Sequence, residues 1–239
     1  MSAAAAGAPR DPYARLVLER SPEEARIGLT LGFVRTFAVP EIAAVLHATG
    51  RMTGLPKARA KATGAAMFAL IEHGPQSAPG ARIVAELRRV HERPGITPEL
   101  MHYVLACFTV SPLRFLAAYG PRPPAAEERA AAYAFHQGLA RALGLPPATG
   151  HGLPELERWT GEFERERFGP SAAGRELWAA TSGLLASRLP GPAARLAPTV
   201  AAVLLDDPVR AALGVRRPAA PVRALVAGAL RLRARRHAA

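Results

Sequence analysis

The fold is decided by residues 97–120, which read TPELMHYVLACFTVSPLRFLAAYG. Thr97 is a good N-cap residue, and Pro98 suits the first helical turn because its φ is already fixed near the helical value. Apolar side chains then recur every three or four residues, which is the spacing of one helix face. Pro112 predicts a kink, and Gly120 predicts the end of the helix. The stretch therefore predicts a long, kinked and deeply buried central helix.

The rest of the sequence predicts an all-α, single-domain orthogonal helical bundle. The 239 residues are 49% hydrophobic but only 6% aromatic, and the abundant alanine, leucine and arginine favour helix over strand. Capping residues, prolines and glycines bound the further helices. These run from Ser21 towards Phe37, Pro40 to near Gly50, Pro56 to Gly74, about Pro79 to Glu92, Glu127 to Leu143, Leu153 to Phe168, Ser171 to Leu189 and Asp207 to Gly214, with a basic helix after Pro221.

The domain prediction has three parts: a flexible leader at residues 1–19, one helical domain at 20–215, and a basic helix or tail at 216–239. Residues 1–10 lack the basic-then-apolar order of a secretory signal. The longest uncharged run, Leu100 to Leu113, is shorter than the roughly 20 apolar residues that span a bilayer. The single cysteine, Cys107, excludes an internal disulfide and fits a reducing compartment. We therefore predict a cytoplasmic protein.

The formal net charge is +12, and much of the excess lies near the end of the chain. The arginines concerned are Arg216, Arg217, Arg223, Arg231, Arg233, Arg235 and Arg236. Such charge attracts nucleic acid or anionic lipid, but no known nucleic-acid-binding motif accompanies it, so no nucleic acid is expected. Leucines in the same helix suit peripheral contact with an anionic membrane, and a solvated tail is an equally open interpretation.

Three side chains on two predicted helices are candidates for a site. His91 lies on the apolar stripe formed with Val84 and Leu87, so its imidazole should point inwards. Arg59 and Thr63 lie one turn apart on a mostly apolar face, where a buried cation needs an anion or a ligand. The spacing leaves two simpler interpretations open. His91 would then be a core histidine that donates to a backbone carbonyl, and Arg59 would reach solvent along its stem.

Five segments in this order resemble the MpaB-type oxygenase family, whose relatives include the rubber oxygenases called latex clearing proteins. The segments are residues 34–42, 59–63, 89–91, 116–123 and 204–208. The similarity spans roughly residues 20–215 and implies a helical fold that encloses a b-type haem. It further implies that His91 is the proximal ligand of the haem iron and that Arg59 and Thr63 line the distal side, where they orient or polarise dioxygen.

The resemblance implies a haem b-dependent oxygenase that uses dioxygen to oxidise or cleave a hydrophobic or isoprenoid substrate. Rubber-cleaving members carry a basic residue immediately before the threonine, whereas this chain has Ala62 there and Lys61 one place earlier. Rubber itself is therefore not the predicted substrate. The alternative function is a non-catalytic, basic helical protein that binds anionic membrane or nucleic acid. His73 and His102 receive no role from the sequence.

Overall fold

Helices form all the regular secondary structure that the computed structural model describes, which covers residues 11–146, 152–183 and 197–238. They are α1 (Pro12–Arg15), α2 (Pro22–Arg35), α3 (Pro40–Ala48), α4 (Arg51–Gly54), α5 (Pro56–His73), α6 (Ala78–His91), α7 (Pro98–Tyr119), α8 (Ala126–Ala142), α9 (Leu153–Arg167), α10 (Ala172–Thr181), α11 (Ala197–Leu204), α12 (Asp207–Leu213) and α13 (Ala220–Ala238). A π-helical turn, Leu16–Arg20, extends α1, and a 3-10 turn, Thr36–Ala38, extends α2. The prediction of an all-α single domain is confirmed.

The central helix is α7, which packs most extensively against α2. Two glycines of α2 let the helix backbones approach closely. A Cβ atom at Gly28 would lie 2.4 Å from the Cα of Pro112, and one at Gly32 would lie 2.5 Å from the carbonyl oxygen of Cys107. A larger residue at either position would therefore push α2 away from α7.

Side chains of α7 contribute to each of the four hydrophobic clusters found among the described residues. Leu105 and Phe108 pack in the first cluster with Leu139 of α8. Leu113 packs in the second cluster with Val17, which belongs to the N-terminal segment. Burial of these apolar side chains is the main stabilising contribution to the fold.

The N-terminal segment differs from its prediction. Asp11 caps α1, because its Oδ1 accepts a hydrogen bond from the backbone N–H of Tyr13 at 2.9 Å. The side chains of Tyr13 and Leu16 are buried in the core. The predicted flexible leader is therefore wrong for residues 11–19, since an Asp-Pro start caps a helix whose apolar residues have a core to enter. Residues 1–10 lie outside the described residues.

The other predicted helices agree with the observed ones to within a few residues. The exceptions are two helices that were not predicted and two stretches that lie outside the described residues. The short helices α4 and α11 were not predicted. The predicted helix from Ser171 to Leu189 corresponds to α10, and its last residues lie outside the described ones. Residues 147–151, between the predicted helices that end at Leu143 and begin at Leu153, also lie outside the described residues.

Within the described residues, α7 is the one single helix long and apolar enough to cross a membrane. The length of this helix is greater than the uncharged run from Leu100 to Leu113 indicated, because the apolar helix continues past Arg114 to Tyr119. Of its most apolar stretch, 78% is buried inside the fold. The segment Pro22–Ala38 and α3 are together also long and apolar enough to cross a membrane, but the two are bent by 102° relative to each other. The burial of α7 is that of a core helix.

A buried ionic network ties α2 to α9 and α7. The Arg35 guanidinium donates two hydrogen bonds to the Glu164 carboxylate and one to Asp206. The hydroxyl of Tyr103 also donates to Glu164, at 3.2 Å. Burial acts to lower the pKa of Arg35, but the Glu164 carboxylate outweighs it and raises that pKa. Arg35 therefore stays charged and holds these helices in register.

Candidate functional site

A cavity of about 400 Å³ lies among residues of α2 to α8 and of the segments that join them. Its wall is largely apolar, with Phe33, Met67, Leu87, Val104, Phe108 and Leu139 among the lining residues. The polar and charged residues that line it are Thr36, Thr49, Arg51, Arg59, Thr63, Glu86, His91 and Arg93. A volume of this size, with a few polar groups in an apolar wall, is typical of small-molecule and cofactor pockets.

His91 ends α6 and lines this cavity while half-buried. Its Nδ1 lies 2.6 Å from the carbonyl oxygen of Leu87. Because a carbonyl only accepts, Nδ1 carries the ring hydrogen, and Nε2 of the neutral ring carries the lone pair. Burial lowers the pKa of His91, the bond to Leu87 opposes this shift, and the positive charges of Arg59 and Arg93 lower the pKa further. The lowered pKa favours the neutral imidazole, which is the form that ligates a metal.

Arg59 and Thr63 line the same cavity from α5. The Nη1 of Arg59 donates a hydrogen bond to Thr63 Oγ1 at 2.9 Å, and the Thr63 hydroxyl donates to the Arg59 carbonyl oxygen at 3.0 Å. Both side chains are half-buried. Burial lowers the pKa of Arg59, and the charge of Arg51 lowers it further.

The structure thus brings the three predicted site residues to one cavity. His91 makes the backbone hydrogen bond of an ordinary core histidine, and it also lines the cavity. Arg59 does not extend fully to solvent, since its side chain bonds to Thr63 at the cavity wall. The roles of His91, Arg59 and Thr63 remain predictions.

Sequence reasoning missed the other charged residues at this cavity. Arg51 opens α4 directly after Gly50, whose φ is 65°, and Arg93 follows the end of α6. Both side chains are exposed. Glu86 lies on α6, and its carboxylate accepts two hydrogen bonds from Arg89, at 2.6 Å and 3.0 Å. The position of Arg93 two residues after His91 was the only local signal, and nothing in the sequence pointed to Arg51.

Three of the other described histidines, His102, His136 and His73, lie elsewhere. His102 is buried, and its Nε2 donates to the carbonyl oxygen of Pro146 at 2.7 Å. His136 is also buried, with Nδ1 3.3 Å from Thr109 Oγ1, and burial lowers its pKa to about 4. His73 lies at the exposed end of α5, with Nε2 3.9 Å from the adjoining Glu72. None of these three histidines lines the cavity.

Comparisons with known proteins bear on this site. Residues 24–235 match the family described as "ER-bound oxygenase mpaB/B'/Rubber oxygenase, catalytic domain". The chain is also similar to a curated relative, "ER-bound oxygenase mpaB" of Penicillium roqueforti (strain FM164), with 29% identity over 197 residues. That match covers 75% of this chain and 66% of the relative, so the chain spans just under two thirds of the relative's length. The family match covers His91, Arg59 and Thr63 and most of the chain. The chain therefore belongs to the family of mpaB/B' and rubber-oxygenase catalytic domains, and the resemblance to oxygenases that its sequence predicts is confirmed.

Proposed function

We propose that this protein is a haem b-dependent oxygenase that uses dioxygen to oxidise or cleave a hydrophobic substrate of isoprenoid or lipid type. Family membership supports the oxygenase activity. The observation that carries the haem assignment is the position of His91, whose Nδ1 donates to the Leu87 carbonyl oxygen at the wall of a largely apolar cavity that Arg59 and Thr63 also line.

The residues at the cavity fit a haem. A metal-ligating histidine almost always donates its other ring N–H to a carbonyl or carboxylate, which fixes the ring and its tautomer. His91 has this arrangement through Leu87. His91 would hold a haem at this cavity, since a single histidine can serve as the protein ligand of a haem. When bound there, the haem supplies the iron chemistry that activates dioxygen.

The other side chains at the cavity would bind and orient the substrate and exclude water. The hydrogen of the Thr63 hydroxyl is held by the Arg59 carbonyl, so that Thr63 presents acceptor lone pairs, one of which receives the Arg59 N–H. An arginine has five N–H donors, and the bond to Thr63 uses one of them. The others can donate to negative charge that develops on the oxidant or the substrate. The apolar wall binds the hydrophobic substrate and excludes water.

The substrate is proposed at the level of its class. Ala62 lines the cavity immediately before Thr63, so that this position supplies no basic side chain. A hydrophobic chain with carbon–carbon double bonds fits the mostly apolar wall, but polyisoprene rubber is not proposed. The matched relative is described as ER-bound, and we propose a cytoplasmic location with peripheral membrane contact for this chain.

A second candidate function rests on α13. Leu225 and Leu232 of this helix are 73% and 53% exposed, and they lie seven residues apart on one face. Exposed arginines accompany them at Arg231, Arg235 and Arg236. A basic helix with exposed leucines suits an anionic membrane surface. Without haem, the protein would be a basic membrane-binding helical domain.

The two functions are separated by the spectrum of the purified protein. If the protein is an oxygenase of this type, it should be red-brown with a Soret band and contain about one haem per chain, because His91 is the one histidine among the described lining residues that would hold it. Haem content is measured by extraction after expression with a haem precursor and after reconstitution with haemin. A chain that remains colourless after both treatments contradicts the proposed oxygenase mechanism and favours the non-catalytic function.

A further inference from the structure

The cavity carries positive charge that no acidic side chain offsets. Arg51, Arg59 and Arg93 line it, and none of the three has an acidic partner within salt-bridge distance in the described part of the chain. Glu86 is the one acidic residue among the described lining residues. Its carboxylate is already engaged by Arg89 through two hydrogen bonds.

Such an arrangement favours an anionic ligand. A cleft lined by charges of one sign, with low-dielectric walls, concentrates the field on an ion of the opposite sign. Arginine presents a planar fork of N–H groups that matches the two oxygens of a carboxylate. The mutual repulsion of Arg51 and Arg59, which contributes to the lowered pKa of Arg59, would be relieved by an anion between them.

The three arginines differ in burial, which distinguishes an inner part of the cavity from its exposed edge. Arg59 is half-buried beside Thr63, whereas Arg51 and Arg93 are exposed. These two arginines come from different segments, the start of α4 and the loop after α6, whereas apolar lining residues such as Phe108 are buried. A ligand that fits both parts has an apolar body and an anionic end.

We propose that Arg51 and Arg93 form a carboxylate-binding rim, which holds the acidic end of an amphiphilic ligand whose apolar body occupies the cavity. Two sources share this chemistry. One is the pair of propionates on a haem, and this case rests on the proposed function. The other is the acid group of an isoprenoid or fatty acid, which needs no haem.

The first arm of the test compares haemin with haemin dimethyl ester, in which both carboxylates are blocked. The dissociation constant of each is measured by absorbance titration of the haem-free protein. We expect the parent protein to prefer the free acid by about tenfold, the scale of one hydrogen bond to a charged group. Arg51→Ala and Arg93→Ala should lose most of this preference while still binding the ester. Lys61→Ala, which removes an exposed charge of α5 that does not line the cavity, should keep it.

The second arm uses dodecanoic acid and its methyl ester on the haem-free protein and on haemin-loaded protein. Loss of the acid preference in the two arginine variants, in either arm, supports the rim and identifies the source of the carboxylate. If haemin and its ester both fail to bind but dodecanoic acid is still preferred through Arg51 and Arg93, the rim stands and the haem proposal fails. The rim is overturned if acids and esters bind equally in both arms, or if the arginine variants keep the parent preference.

Discussion

The side chain of Arg59 donates to the hydroxyl of Thr63 one helical turn away, and that hydroxyl donates back to the Arg59 carbonyl oxygen. This closed pair holds the guanidinium at the cavity wall, in an environment where burial lowers its pKa. A positioned donor of this kind can act on charge that develops during a reaction without paying for reorganisation at that moment.

We predict that Arg59→Ala separates cofactor binding from turnover. Loss of one positioned donor typically lowers the rate by a factor of about 100 to 1,000, so that most turnover of an accepted substrate should disappear while haem content stays near the parent level. Thr63→Val keeps the shape but loses the hydroxyl, and it should slow turnover less. The measurements are haem content by extraction and turnover for both variants, with Lys61→Ala as the matched control.

Two results would count against this assignment. Parental turnover in Arg59→Ala would exclude a role on the distal side. Loss of haem in the same variant would instead assign Arg59 to anchoring the cofactor, together with Arg51 and Arg93.

His91 should be required for stable haem retention. His91→Ala removes the neutral imidazole whose Nδ1–H is fixed by Leu87, and no other described histidine lines the cavity. After reconstitution and gel filtration, the variant should retain little haem. His136→Gln alters a second buried histidine that lies away from the cavity and should retain haem nearly as the parent does. A full, unshifted haem spectrum in His91→Ala would show that the proximal assignment is wrong.

The sequence could predict these two sides of the cavity because each is a local helical pattern. His91 follows Val84 and Leu87 on one stripe, and Arg59 and Thr63 are one turn apart, so that helix geometry alone fixes which face they share. The rest of the site arises from contacts between distant segments. Arg51, which starts α4, reaches the cavity through tertiary packing that carries no periodic signal.

The fold shows the same division between local and long-range information. Caps and prolines predicted the ends of α2, α5 and α7 well. The helix after Asp11 was not predicted, because such a short helix is stable only when its few apolar side chains pack against the rest of the fold. The partner ring for Tyr13 is Phe135, with ring centroids 5.6 Å apart, and no local pattern links two residues so distant in the chain.

The stability of the haem-free protein should fall on mild acidification because of His136. Burial, assisted by the nearby His102, lowers the pKa of His136 from 6.5 to about 4. Between these values the unfolded chain binds a proton that the folded chain cannot, so that unfolding becomes easier as the pH falls. The full effect is about 3 kcal/mol, reached near the lower value. Above pH 6.5 both states are neutral and this contribution to the pH dependence vanishes.

The measurement is urea denaturation of the parent and of His136→Gln at pH 7 and pH 5. The glutamine variant should lose less stability between these two values, because it has no proton to take up on unfolding. The lowered pKa of His91 acts in the same direction and is common to both proteins. Glu128, whose pKa is lowered by its hydrogen bond with Arg122, loses its contribution only at lower pH. An identical pH dependence in the two proteins would contradict the prediction.

The exposed face of α13 should bind anionic membranes in a salt-dependent manner. Leu225 and Leu232 offer apolar surface, and Arg231, Arg235 and Arg236 have no acidic partner within salt-bridge distance in the part of the chain that the structure describes. Each cation near an anionic surface contributes about 1 kcal/mol, and the attraction is lost within a Debye length, which salt shortens. Co-sedimentation with phosphatidylserine-containing vesicles should therefore weaken at high salt.

Paired substitutions test whether α13 itself carries this binding. Changing Arg231 and Arg235 to Gln should reduce co-sedimentation severalfold, because two of the charges beside the exposed leucines are lost. Changing Arg82 and Arg165 to Gln, which are exposed on α6 and α9, removes the same net charge elsewhere and should have little effect. Leu225→Asp should weaken binding even at low salt, since it removes apolar area and adds repulsion from the lipid. Equal losses in the two arginine pairs would mean that net charge rather than α13 drives the association, and the absence of vesicle binding in the parent protein would exclude the membrane surface altogether.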